Sequence, residues 1–167
     1  SYAQALRFEP DHVEAHYNLG IALARQGKLE EAIAHHTEAL RLKPDSAEAH
    51  NNLGITLDRQ GSLEEAIAHY TVALELDPEF ARAHNNLGNA LTEQGELADA
   101  IGHYREAVRL DPDYAKAHTN LGLALAREGR FEQAAASFVE AVRLDPASAQ
   151  AHTNLGNALF KQGRLDE

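Results

Sequence analysis

The residues of this 167-residue chain best suited to acid–base or metal chemistry are its ten histidines, and their spacing limits what they can do. Five stand at one constant step: His16, His50, His84, His118 and His152. A second column, His35, His69 and His103, keeps the same step. His12 and His16 lie four apart, a spacing that would let both rings chelate a metal ion if one helix carried them both. The carboxylate doublets Glu30-Glu31 and Glu64-Glu65 are candidates for paired acid–base work, but they fall at the predicted starts of helices, where negative charge complements the helix dipole. No phosphate-cradling loop and no nucleophile elbow occurs. With no cysteine there are no thiolate ligands, thiol nucleophiles or disulfides. The chain is therefore read as a non-enzyme without catalytic residues, metal site or cofactor.

The step that governs the histidines governs everything else. Pro10, Pro44, Pro78, Pro112 and Pro146 are each separated by 34 residues. The dipeptide Leu19-Gly20 returns at 53, 87, 121 and 155, and a second glycine series runs Gly27, Gly61, Gly95, Gly129 and Gly163. Ala32, Ala66, Ala100 and Ala134 hold the same register, as do Ala39, Ala73, Ala107 and Ala141. Such self-similarity marks stacked supersecondary units. Within the first complete unit Ala15, Leu19, Ala22 and Leu23 follow one helix face, and Leu29, Ala32, Ile33, His36, Ala39 and Leu40 follow another. Gly27 ends the first helix and Pro44 stops the second. The pattern predicts first helices over 13–26, 47–60, 81–94, 115–128 and 149–162 and second helices over 30–42, 64–76, 98–110 and 132–144, with a stub at 1–8. Ser62 and Glu65 have the spacing of a capping box at one second-helix start. Gly20 and Ala32 let paired helices approach closely. Neighbouring repeats stack roughly 10 Å apart, as packed helices do, so successive members of a histidine column cannot share one metal ion. The columns are read as boundary residues packing between helices.

The run Asn-Leu-Gly-x-x-Leu, followed by glycine, alanine, an aromatic, alanine and proline, resembles the tetratricopeptide repeat across essentially the whole chain. The aromatic of the second helix is Tyr2, Tyr70, Tyr104 and Phe138, with His36 standing in its place once. Histidine replaces the large aromatic often found early in the first helix. The resemblance implies an all-α, right-handed superhelical solenoid of antiparallel helix pairs. First helices would line a concave groove, and second helices would lie outside. One array would cover 1–167, with a partial repeat at 1–12, full repeats at 13–46, 47–80, 81–114 and 115–148, and a partial repeat at 149–167.

The groove face of the first full repeat carries Glu14, Tyr17, Asn18, Ile21, Ala24 and Arg25, in steps of three and four. One of its columns is unbroken: Asn18, Asn52, Asn86, Asn120 and Asn154. An asparagine offers two donors and an acceptor, so a ladder of them can bond successive amides of an extended peptide without reading its side chains. They could equally bond between neighbouring repeats. Tetratricopeptide proteins bind peptides in the groove, and this ladder is similar to that of the O-GlcNAc transferase superhelix. Some family members clamp a terminal carboxylate with Lys, Asn and Arg. Arg82, Asn86, Lys116 and Asn120 approach that arrangement, but Glu14 and Glu48 stand where the first repeats would need cations. Charge sharpens the expectation. The column from Glu14 to Gln150 is neutral, Asp58 adds one negative charge, and the column of Arg25, Arg59, Glu93, Arg127 and Lys161 carries +3. These positions together carry +2 of a net −11, leaving −13 elsewhere. The ligand is thus expected to be an extended, partly acidic segment of another protein, met by a basic stripe of Arg25, Arg59, Arg127 and Lys161. The resemblance leaves two alternatives: a substrate-presenting segment of a larger O-GlcNAc transferase-like glycosyltransferase, or a self-assembling structural scaffold.

The acidic balance argues against nucleic acid and against an anionic membrane surface as partners. No apolar run approaches the roughly 20 residues that a membrane-spanning helix needs. No signal peptide is visible, and a cytoplasmic location is favoured. The chain opens on Ser1 and not Met, as one with a missing upstream segment would. Tyr2, Ala5, Leu6 and Phe8 offer part of a second helix, and the chain stops at Glu167 where another should begin. End-to-end homo-association is the expectation from those two faces.

Overall fold

The computed structural model describes residues 2–163, and among them it contains ten α-helices and no strand. Residue 1 and residues 164–167, where the repeat pattern expects a further second helix to begin, lie outside the described residues. The chain divides into two compact units, Ser1–Ala83 and His84–Glu167. The first holds α1 (Tyr2–Phe8), α2 (Val13–Arg25), α3 (Leu29–Leu42), α4 (Ala47–Gln60) and α5 (Leu63–Leu76). The division falls inside α6 (Ala81–Gln94), and the second unit continues with α7 (Leu97–Leu110), α8 (Ala115–Arg127), α9 (Phe131–Leu144) and α10 (Ala149–Lys161). Within each unit, consecutive helices pack against each other as helix pairs. Every helix falls within a residue or so of its expected span.

The local chemistry explains those boundaries. Gly61 sits at φ +93°, the left-handed conformation that turns the chain out of α4 and that glycine adopts without a Cβ clash. Ser46 and Ser148 cap α4 and α10, their hydroxyls accepting from the Ala49 and Ala151 amides at 3.2 and 3.3 Å. Second helices start differently. The side chain of Ser62 makes no cap bond, so the capping box expected with Glu65 does not form. The backbone fixes this start instead: the Ser62 amide donates to the Leu57 carbonyl at 2.9 Å, and its carbonyl accepts from the Ala66 amide at 3.0 Å. Lys28, Glu96 and Arg130 repeat the same two bonds without a hydroxyl, so the loop closure leaves a capping side chain no necessary role.

The core is built from the repeated small residues. Ala32, Ala66, Ala100 and Ala134 are fully buried. A large ring from each second helix lies on the glycine of the first: His36 on Gly20, Tyr70 on Gly54, Tyr104 on Gly88 and Phe138 on Gly122. A Cβ at any of those glycines would come within 2.5 to 2.7 Å of a ring atom, closer than real contacts allow. Burying such a ring contributes about 1.5–3 kcal/mol, and only a glycine opposite makes room for it.

Candidate peptide-binding groove

The N-terminal turns of the first helices project Glu14, Glu48, Arg82 and Lys116, all exposed, while the last turns project Arg25, Arg59, Arg127 and Lys161, also exposed. On each first helix the asparagine lies between these two turns, and all five asparagines are half-buried. Part of the ladder bonds within the protein. Asn52 Nδ2 donates to Tyr17 Oη at 2.7 Å, joining α4 to α2. Asn120 Nδ2 donates to both Asn85 Oδ1 and Asn89 Oδ1 at 2.9 Å, and Asn89 Oδ1 also accepts from Tyr104 Oη at 2.8 Å. The carbonyl oxygens of Asn52 and Asn120, and the whole Asn18 amide, have no hydrogen-bond partner among the described residues. Asn154 Nδ2 is buried without a partner.

Two expected groove residues take other roles. Ala24 was expected on the open face, but it is 8 % exposed and packs with Leu23 and Ala32. The neighbouring repeat covers it: Arg59 Nη1 donates to the Ala24 carbonyl at 2.8 Å, satisfying a carbonyl of the last turn of α2. Arg59 thus spends one donor on the fold, whereas Arg25, Arg82, Lys116 and Lys161 have no hydrogen bond or ion pair among the described residues. Tyr17, half-buried, is held protonated above its ordinary range, first by burial and then by the negative charge of Glu48. Asn85 and Asn89 had not been singled out in the sequence. Asn89 is conspicuous only in that its column otherwise reads Ile21, Ile55, Leu123 and Asn157.

The histidines resolve into pairs that the separate columns concealed. His16 Nδ1 meets His35 Nδ1 at 2.9 Å, and His50–His69 and His84–His103 repeat this at 3.0 Å. His16 and His50 point Nε2 at the carbonyls of Pro10 and Pro44, at 2.8 and 3.1 Å. A carbonyl only accepts, so Nε2 carries the proton, and Nδ1 of His16 and His50 accepts from the partner ring. The constant separation of 19 between paired rings was the available signal. In the fourth repeat Ser137 replaces the partner and its hydroxyl donates to the Gln133 carbonyl. His35, His69 and His103 are each pushed below the ordinary histidine range by burial and then by the paired ring, with Glu31, Glu65 and Asp99 opposing. His12 is the N-cap of α2, accepting from the Ala15 amide at 3.2 Å. It therefore lies outside the helix that carries His16, and the chelating arrangement does not form. Among the described residues no group of three or more metal-ligating side chains could hold an ion, and no helix is long and apolar enough to cross a membrane.

A family model described as "TPR repeat" matches residues 88–129 and 124–163, and two described as "Tetratricopeptide repeat" match residues 11–79 and 69–102. No curated protein sequence matches the chain. Among solved structures, YrrB, "a TPR protein with an unusual peptide-binding site", is similar with a TM-score of 0.82 at 23% identity, over 99% of this chain and 86% of that one. MamA from Desulfovibrio magneticus RS-1 gives 0.82 at 25% identity, over 92% and 86%. PilF of Pseudomonas aeruginosa gives 0.83 at 28%, over 90% and 69%. The repeat fold and these neighbours make the chain a protein-interaction scaffold. It belongs to the tetratricopeptide repeat family.

Proposed function

We propose that the first-helix face binds an extended segment of a partner protein, with the asparagine ladder meeting its backbone. The observation that carries this reading is the mixed state of the ladder. Its amide nitrogens at Asn52 and Asn120 brace neighbouring helices, while their carbonyl oxygens stay open to accept from a peptide N–H. The bracing orients the acceptors before the ligand arrives, which lowers the entropy lost on binding. Asn154 and the exposed Lys116, Arg127 and Lys161 extend the same face within the second unit. Arg25 and Arg82 do so in the first, where Arg59 is braced. The last-turn cations favour acidic residues in the ligand. YrrB is described as having a peptide-binding site, which is consistent with this use of the fold.

Asn18 separates ligand contact from structure, because its amide serves no bond in the fold. In Asn18→Ala the melting temperature should not fall, since alanine is also the better helix former. Affinity for peptides selected from a random displayed library should fall about five- to thirtyfold, the cost of a lost bond or two at about 1 kcal/mol each. Unchanged affinity would show that the ladder is structural only.

A further inference from the structure

The repeat builds one cleft twice. In the first unit a cleft of about 310 Å³ opens between the N-terminal turns of α2 and α4 above Ala39. In the second unit a cleft of about 540 Å³ opens between those of α8 and α10 above Ala141. Every residue lining the first has its counterpart three repeats later in the second. The backbone setting is therefore the same, and the side chains alone distinguish the two. Five of the eight paired positions differ, and three of the five change charge. Glu14 corresponds to Lys116, Glu48 to Gln150 and Lys43 to Asp145. The first cleft has a carboxylate on each wall and Lys43 as its one cation, and the second has Lys116 facing an uncharged glutamine with Asp145 as its one carboxylate.

The carboxylates of the first cleft are not spent inside the protein. Glu14 and Glu48 are exposed, and neither has an ion-pair partner among the described residues, Lys43 included. Tyr17 lines the cleft between them, half-buried. Its oxygen accepts from Asn52, which holds the phenol in place and leaves its O–H free to donate, and its ring, set T-shaped against His36 at 6.3 Å, adds an aromatic surface to the cleft. Thr119 stands at the same place in the second cleft and offers no ring.

We infer that the first-unit cleft takes a cationic side chain of the bound segment, a lysine or arginine held between Glu14 and Glu48 beside Tyr17, and that its counterpart in the second unit excludes one through Lys116. The inference rests on the groove-binding reading above and adds to it a charge-selective position. Because the cleft lies at the N-terminal turns and the Arg25–Arg59 row at the last turns, the first unit would read a segment with basic and acidic residues in different places.

The test uses peptides from a random displayed library selected on the full chain. Basic peptides would also be drawn to a protein of net charge −11 wherever they touched it, so a charge-matched control is required. Glu14→Lys with Glu48→Gln installs the counterparts of Lys116 and Gln150 and leaves Lys43 in place. Glu64→Lys with Glu65→Gln makes the same change of net charge at exposed residues away from it. The selected peptides should be enriched in Lys or Arg. The cleft variant should bind them about three- to tenfold more weakly, and the control less than about twofold. Equal losses in the two variants, or selected peptides without basic residues, would overturn the charge-selective cleft and leave groove binding standing. A library that yields no binder at all would overturn both.

Discussion

His36 occupies the slot that Tyr70, Tyr104 and Phe138 fill in the other repeats, pressed on Gly20 and 1 % exposed, with its Nδ1 buried and unpartnered. Burial, and then the neighbouring His35, lower its pKa from 6.5 to about 4. In the unfolded chain the ring takes a proton near pH 6.5, whereas in the folded chain it stays neutral down to about 4. Stability from this residue is therefore complete above pH 6.5, and it is lost as the pH falls through that window, by on the order of 3 kcal/mol. The depressed values of His35, His69 and His103 act in the same direction. His36→Phe copies Phe138, whose surroundings Leu123 and Ala126 correspond to Ile21 and Ala24. Denaturant unfolding at pH 8 should show a gain of about 1–3 kcal/mol from removing the orphaned nitrogen, and the gain over the parent should widen between pH 6.5 and 4. A gain independent of pH would mean that His36 titrates normally.

The helix pairs depend on where a glycine lacks its Cβ. At Gly122 an added Cβ would lie 2.5 Å from the Phe138 ring, which Ala134 and Ala135 of the same helix leave little room to retreat. Gly122→Ala should cost about 1–3 kcal/mol by overpacking. Gly102, exposed in the middle of α7, has no atom near its would-be Cβ. Gly102→Ala should stabilise by about 1 kcal/mol through helix propensity. Thermal melts of the two variants should therefore move in opposite directions, and a common direction would count against the packing account. The helices themselves were legible in the sequence because punctuation by proline and glycine is local and repeats five times. The missing Ser62 cap was not legible, because the backbone bonds that replace it depend on the path of the preceding turn.

For the molecule as a whole, net charge sets how partners approach. The chain carries −11 overall, and its exposed last-turn cations locally oppose that field. Arg25 and Arg127 are the suitable probes, since Arg59 is engaged with the Ala24 carbonyl. Arg25→Glu with Arg127→Glu should slow association with an acidic peptide by roughly tenfold at low salt and flatten the dependence of its on-rate on ionic strength. Stopped-flow measurements over a salt series would check this, and an unaltered on-rate would remove the stripe from the recognition surface.

What the sequence determined by itself is what a periodic pattern can encode: the repeat length, the helix spans, the family and the columns that face together. Each follows from spacing along one chain. The tertiary structure decided which columns meet. His16 with His35, Asn52 with Tyr17, Asn120 with Asn85 and Asn89, and Arg59 with the Ala24 carbonyl all join residues 19 to 35 positions apart. Whether such side chains touch depends on the rotation and separation of packed helices at the scale of a single hydrogen bond. Differences of an ångström or less, set by which ring lies on which glycine, separate a braced asparagine from a free one, and no periodicity in the sequence records them.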